Sequence, residues 1–230
     1  MQQLTLLDNA ADNRLTEHQN FWARLARGKF TSSQMHRLMT EPKNKADKEA
    51  DALSQKALEY VAQKAGEEIA MKFADVVLTE AQKHGVTEER NARRLFEQLT
   101  GKKVLTGIHY LYNLHSGGAP DGEVAGENAI IEIKCPYNTA KHIEHMMLDS
   151  VEDLEFAYQI QMQANMLFGK KEKCYFISYD DRVPTNLQVS VIEVPASPEI
   201  QQRIKHKLSK AIAEKERQLE ELFKKVYHGK

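Results

Sequence analysis

Asp121, Glu132 and Lys134 are the residues of this chain whose types and spacing point most directly to chemistry. They stand in Pro120-Asp121-Gly122 and Ile131-Glu132-Ile133-Lys134-Cys135-Pro136. The run Ala129-Ile130-Ile131-Glu132-Ile133 has the β-branched richness of a buried strand. Glu132 and Lys134, two apart, therefore project from one face of it. A carboxylate and an ammonium on an apolar strand are costly to bury without partners. Pro-Asp-Gly marks a sharp turn, and a hairpin from Gly122 back to Glu132 sets the Asp121 carboxylate beside Glu132. Two hard oxygen ligands and a cation suit Mg²⁺-assisted phosphodiester hydrolysis: the carboxylates hold the metal, and the lysine positions or helps deprotonate the attacking water. The same three residues, taken alone, would also serve as a salt bridge at a strand end.

Among the elements that must position these groups, residues 14–30 read as a helix carrying Phe21, Trp22 and Leu25 and closed by Gly28, and Thr31-Ser32-Ser33 opens another. The stretch Glu41–Lys48, with Lys43, Lys45 and Lys48, reads as an exposed, mobile loop. Helical spacing runs from about Glu49 to Lys83 with an interruption at Gly66. Gly85 ends that helix in this reading, and Thr87-Glu88-Glu89-Arg90 begins the next, which stops at Gly101. Strands are expected at 104–108, 109–114, 122–124 and 129–135. Ser150 and Asp153 resemble a capping box opening a helix to Phe168, with Gly169 as its stop. Strands at 174–179 and 187–194 follow, then a charged helix from about 199 to 228 whose apolar stripe favours packing on the core. The order implies a mixed α/β domain with a central sheet flanked by helices.

The size, 230 residues, suits one substantial domain. No run approaches the ~18 apolar residues of a membrane span, and the N-terminus lacks the regions of a signal peptide, so a cytoplasmic location is expected. Cys135 and Cys174 are too few for a disulfide framework or an iron–sulfur cluster and read as buried, reduced thiols. The net charge of −1 gives no global basic signature for nucleic acid. An enzyme that encloses its substrate needs positive charge only on the enclosing surface.

Two more groups join the constellation. Glu89, near the start of its expected helix, is an acidic residue ahead of the acidic hairpin, although a helix dipole alone accounts for many first-turn glutamates, Glu88 included. On the helix after Ser150, Tyr158, Gln161 and Asn165 fall at i, i+3 and i+7 and share a face, placed to hydrogen-bond a phosphate oxygen or a ligand water, while Gln163 points elsewhere. In this order, Gly85-x-x-x-Glu89, Pro120-Asp121-Gly122, Glu132-Ile133-Lys134-Cys135-Pro136 and Tyr158-x-x-Gln161-x-Gln163 resemble the viral alkaline exonuclease (YqaJ-type) family, a branch of the PD-(D/E)xK restriction-endonuclease-like superfamily. The likeness extends from about residue 20 to residue 182.

That resemblance implies a restriction-endonuclease-like core and a metal-dependent 5′→3′ exonuclease. Such an enzyme processively degrades one strand of duplex DNA from an end, releases 5′-mononucleotides and leaves a 3′ overhang. It further implies a homotrimer around DNA and a single-strand annealing partner in phage recombination. Carried over, Asp121 and Glu132 are metal ligands with the Ile133 carbonyl, Glu89 is a further acidic ligand, Lys134 is the water-activating lysine, and Gln161 orients nucleophile or phosphate. The cofactor is Mg²⁺ or Mn²⁺, two ions about 4 Å apart. Ser33 matches a serine that contacts the terminal 5′-phosphate, and Tyr158 and Gln163 join the DNA-binding set. Two positions depart from the pattern. Ala26 stands where an arginine is typical, with Arg24 and Arg27 on either side. Ala119 replaces a serine that binds phosphate, so that interaction is either missing or taken over by Ser116. Lys43, Lys45 and Lys48 are candidate DNA-backbone contacts. An endonuclease of the same fold and an idle DNA-end-binding scaffold are the rival readings.

Overall fold

The computed structural model describes residues 17–71 and 78–227. The chain opens with helix α1 (Glu17–Leu25), strand β1 (Phe30–Thr31) and a 3₁₀ segment, Ser32–Arg37. Helices α2 (Lys45–Glu49), α3 (Gln55–Ile69) and α4 (Glu80–Thr100) follow. Strands β2 (Val104–Leu105), β3 (Tyr110–Asn113), β4 (Ser116–Gly118), β5 (Gly122–Val124) and β6 (Ala129–Lys134) come next. Then come α5 (Thr139–Met146), α6 (Phe156–Gly169), β7 (Lys173–Tyr179), β8 (Val189–Pro195) and α7 (Pro198–Tyr227).

The strands form a five-stranded mixed sheet in the order β2-β5-β6-β7-β8 and a small sheet in the order β1-β4-β3. β6 and β7 are parallel, with Glu132 opposite Phe176 and Lys134 opposite Ser178. A parallel pair needs a crossover, and α5 and α6 supply it. Because β6 is covered on both sides, Ala129 to Ile133 are all buried, as the unbroken apolar run requires. Ala92 and Phe96 of α4 pack with Ile131, Ile133 and Tyr175 on one face. Met162 and Met166 of α6 pack with Ile130 and Phe176 on the other. A third cluster joins Phe30, Leu38 and Tyr60 to Ile204 and Leu208 of α7. α4 and α6 thus each bury one stripe against opposite faces of the sheet, the helix–sheet–helix layering expected of a mixed α/β domain.

Several expected boundaries move. Gly85 does not end a helix: α4 runs through it from a reciprocal cap between Thr79 and Gln82, and a glycine inside a helix costs only about 1 kcal/mol. Glu89 is therefore in the third turn of α4, away from the helix end. Gly66 lies within α3, which ends at Ile69; the expected continuation over 72–77 lies outside the described residues, as does 14–16 of the first helix. The Thr31-Ser32-Ser33 start opens a 3₁₀ segment without a side-chain cap. The Ser150–Asp153 box caps a single 3₁₀ turn, and α6 begins at Phe156. The lysine-rich stretch is exposed as expected but contains α2, with Asn44 Oδ1 accepting from the Asp47 amide at 2.7 Å. β1, β4 and α5 have no counterpart among the expected elements. The apolar stripe of α7 packs over Ile204, Leu208 and Ala211, whereas Leu222 and Val226 near its end are exposed. Among the described residues, no helix is long and apolar enough to cross a membrane.

Candidate active site

The β5–β6 hairpin sets the first two acids. Gly122 pairs with Ile131, so the preceding Asp121 reaches the end of β6, where its Oδ2 accepts from the Ile133 amide at 2.6 Å. One strand residue on either side of Ile133, Glu132 and Lys134 project to the opposite face, and Lys134 Nζ lies 2.7 Å from Glu132 Oε1. Glu132 is only 1% exposed.

α6 closes over this pair. Gln161 Nε2 donates to Glu132 Oε1 at 2.6 Å, and its Oε1 lies 3.4 Å from Lys134 Nζ. The ammonium also stands 4.8 Å over the centre of the Tyr158 ring. One turn on, Asn165 Nδ2 donates to Glu132 Oε2 at 3.4 Å. Both Glu132 oxygens are thus held, and Tyr158, Gln161 and Asn165 do share one face of α6. Asn165 is fully buried, and its Oδ1 has no protein hydrogen-bond partner. Gly118 makes this approach geometrically feasible. A Cβ there would stand 2.3 Å from Asn165 Oδ1 and 2.8 Å from Ser32 Oγ.

α4 brings the third carboxylate. Ala92 and Phe96 bury their stripe on the sheet, and Glu89 and Arg93 extend it at i, i+3, i+4 and i+7. Arg93 Nη2 donates to Glu89 Oε1 at 3.0 Å. Burial, then the charge of Asp121, pushes the Glu89 carboxyl up to about 7, against the pull of Arg93. Burial likewise raises Asp121. Glu132 is pushed up to about 7 by burial, with Asp121 and Glu89 adding to it and Lys134 opposing. For Lys134, burial favours the neutral amine, but the charges of Glu132 and Asp121 outweigh it and hold the ammonium. Three carboxylates, Glu132 buried and Asp121 and Glu89 half-buried, thus share two cations, Lys134 and Arg93, and resist ionising together.

A cluster short of positive charge and furnished with hard oxygen donors fits a divalent cation. Among the described residues, no three His, Cys, Asp or Glu side chains already stand in metal-coordinating geometry. Mg²⁺ asks for less, since it keeps several waters and commonly takes only one or two carboxylates plus substrate phosphate. Asp121 and Glu132 fit that demand, and Glu89 lies close enough for its charge to raise the proton affinity of Glu132.

Residues 21–172 match the sequence profile of the YqaJ-like viral recombinase domain, which is more than half of the chain. The chain belongs to the YqaJ-like viral recombinase family. A search of curated proteins by sequence finds no significant match. Among solved structures, this YqaJ-like chain is similar to an alkaline exonuclease (LHK-Exo) from Laribacter hongkongensis, with 26% identity and a TM-score of 0.78 over 92% of this chain and 100% of that one. The same exonuclease in complex with dAMP gives 28% identity and a TM-score of 0.76, over 91% and 98% of the two chains. A phage-related exonuclease from Haemophilus somnus 129PT shares the fold at 21% identity and a TM-score of 0.72, over 87% and 99%.

The remaining expected residues of this YqaJ-like domain are scattered. Ser33 is exposed, with its Oγ 3.4 Å from Thr31 Oγ1; its neighbour Ser32 is the buried one, against Gly118. Arg24 is exposed in the last turn of α1, and Arg27 Nε donates to the Glu67 carbonyl at 2.5 Å. Lys43, Lys45 and Lys48 are exposed, and Lys45 pairs with Glu49 at 3.6 Å. Gln163 cannot meet DNA: it is buried, its Nε2 donates to the Pro195 carbonyl, and its Oε1 accepts from the Ser197 amide, both at 2.8 Å. Ser116 cannot supply the missing phosphate interaction either, being fully buried with its Oγ on Asn113. Sequence reasoning missed Arg93, although its position four residues after Glu89 is the ordinary helical ion-pair spacing. Cys135 and Cys174 are free and buried, and burial raises both thiols.

Proposed function

We propose that this protein is a metal-dependent exonuclease that degrades one strand of duplex DNA 5′→3′ from an end and leaves a 3′ single-stranded overhang. The observation that carries this reading is the Asp121–Glu132–Lys134 cluster, built around the buried Glu132 and roofed by Gln161, within a YqaJ-like domain similar to an alkaline exonuclease. Asp121 and Glu132, with the Ile133 carbonyl and with Glu89 behind them, would hold Mg²⁺ or Mn²⁺. Such ions supply charge to the scissile phosphate and make a water nucleophilic near neutral pH. Lys134, kept as an ammonium, acts as a donor: it orients the attacking water and stabilises negative charge developing on the phosphate. Gln161 holds the lysine and Glu132 in register, so neither reorients during attack.

Arg24, Arg27 and Ser33 are the proposed contacts to the end and its 5′-phosphate, with Tyr158 beside the phosphate path. Lys43, Lys45 and Lys48 would follow the backbone, a mode that carries little sequence information. Processive action by a homotrimer around DNA, handing its overhang to a single-strand annealing protein in phage recombination, completes the reading. The chain would act as one nuclease domain, in the host cytoplasm.

The test uses linear duplex DNA with a 5′-phosphate or a 5′-hydroxyl, labelled at one 3′ end, beside covalently closed circles, with Mg²⁺ or EDTA. Metal-dependent loss of the unlabelled 5′-ended strand, with the circles intact, is the expected result. Cutting of circles would replace the exonuclease with an endonuclease. Binding without cleavage in any metal would leave a scaffold.

A further inference from the structure

Tyr137 lies three residues beyond Lys134, in the turn from β6 to α5, and has no part in the site described above. The residue is 58% exposed, yet its backbone is firmly held. Arg182 donates from Nη1 to the Tyr137 carbonyl and from Nη2 to the Pro136 carbonyl, both at 2.8 Å. That guanidinium is in turn held by Asp180, at 2.7 Å from Nε to Oδ1 and 2.9 Å from Nη2 to Oδ2. Asp180 is 1% exposed, so the clamp is anchored in the interior at the end of β7. Such a planar, bidentate pair fixes geometry as well as supplying attraction.

On its other side the ring meets the His84 imidazole edge-on, with centroids 5.8 Å apart. His84 belongs to α4, five residues before Glu89, which is about 7.5 Å along a helix axis. Cys135, two residues before Tyr137, is close enough to Glu88, Glu89 and Asp121 for their charges to add to the effect of burial on its thiol. The exposed ring is therefore tied from two directions to the carboxylate cluster. Three residues of chain reach at most ~11 Å beyond Lys134, which is about three bases of a stacked strand at ~3.4 Å each.

We propose that Tyr137, backed by His84 and held by Arg182, is a stacking platform for a nucleobase within about three nucleotides of the scissile phosphate. This rests on the nuclease reading above. The ligand is the π-face of a base, which every base presents, so the platform would tolerate any sequence. A flat ring on a clamped backbone loses little freedom on binding, which favours affinity. It would fix the distance between base and carboxylates while the strand advances.

The test is a coupling experiment on DNA ends. Binding of the full-length protein is measured with Ca²⁺ replacing Mg²⁺, on duplexes carrying a normal nucleotide or an abasic residue at each of the first three positions from the 5′ end. Metal-dependent cleavage by the wild-type protein is followed separately with Mg²⁺. For wild type, an abasic residue at one of these positions should weaken binding roughly 5- to 150-fold, the range of a single base–aromatic stack. Tyr137→Ala should lose a similar factor on normal DNA and become indifferent to the abasic residue, while Tyr137→Phe should behave as wild type. Thermal melting should be unchanged in both variants, because the ring is exposed. An abasic penalty at every position that is the same in wild type and Tyr137→Ala would overturn the platform while leaving the nuclease intact. Absence of wild-type cleavage with intact coupling would instead overturn the nuclease reading and keep a base-binding site. Absence of DNA binding by wild type would overturn both.

Discussion

Replacing Lys134 with methionine isolates the electrostatics of the cluster, because the new side chain keeps the buried stem and removes only the ammonium. Glu132 is then a buried carboxylate without the cation 2.7 Å away. Breaking a buried pair commonly costs about 3–5 kcal/mol. Here the cost is capped, because Glu132 already titrates at about 7 and escapes by taking up a proton. Holding that proton costs about 1.36 kcal/mol for each pH unit above the wild-type value. The loss of stability should therefore be slight at pH 6 and should grow by roughly 1 kcal/mol for each pH unit above neutrality. Gln161 Nε2, 2.6 Å from Glu132 Oε1, can donate to the carboxylate or to the carbonyl oxygen of the acid. The direction follows from linkage: a carboxyl raised above its ordinary 4.5 leaves the native state holding more protons than the unfolded chain, so stability falls as pH rises through that window. The substitution extends the window upward. Urea unfolding of both proteins in EDTA at pH 6, 8 and 9 measures the difference. A loss of 3 kcal/mol or more at pH 6, or one that does not grow with pH, would refute the reasoning.

Three further outcomes are expected. Asn165→Leu, which removes the donor to Glu132 Oε2, should weaken Mn²⁺ binding roughly 10- to 100-fold, the usual effect of losing a group that orients a ligand; calorimetric titration would show it, and unchanged affinity would count against it. Metal affinity should rise between pH 5 and 7, with proton release on binding, because Glu89 and Glu132 are both pushed up to about 7 and must ionise to serve as ligands; titrations in buffers of different ionisation enthalpy count those protons. Gly118→Ala should destabilise the fold by about 1–3 kcal/mol, since its Cβ would meet Asn165 and Ser32; an unchanged melting temperature would show that this corner yields.

What the sequence discloses depends on how local each signal is. β6 is legible to within a residue because five consecutive buried positions, 129–133, are dominated by β-branched or small apolar residues, and the one polar residue among them, Glu132, shares a face with the half-buried Lys134 that ends the strand. α6 is legible as a polar face of Tyr158, Gln161 and Asn165, but its start is misplaced because the cap at Ser150 serves a separate turn. Gly85 misleads because the Thr79–Gln82 cap upstream outweighs a single glycine, and with it falls the helix-dipole alternative for Glu89, whose carboxyl is governed by burial beside Asp121. β4 is invisible for a different reason. Ser116-Gly117-Gly118 has no strand propensity, and it pairs in the small sheet because the neighbouring backbone comes so near: a Cβ on Gly117 would stand 2.4 Å from the Tyr110 carbonyl oxygen. The motif assigns the Gln163 side chain to DNA, whereas its amide bridges the end of β8 to the start of α7. Long-range partners of this kind, like the Arg182 clamp on the Pro136 and Tyr137 carbonyls, are products of tertiary packing that no spacing announces.

The central claim, that Asp121, Glu132 and Lys134 form a phosphodiester-cleaving centre, is tested most directly by comparing wild type, Lys134→Ala and Glu132→Gln on one 5′-phosphorylated linear duplex, recording Mg²⁺-dependent nucleotide release and DNA binding side by side. The account predicts that both variants lose nucleotide release by at least ~100-fold while still binding the duplex end. Release at the wild-type rate by either variant would contradict it.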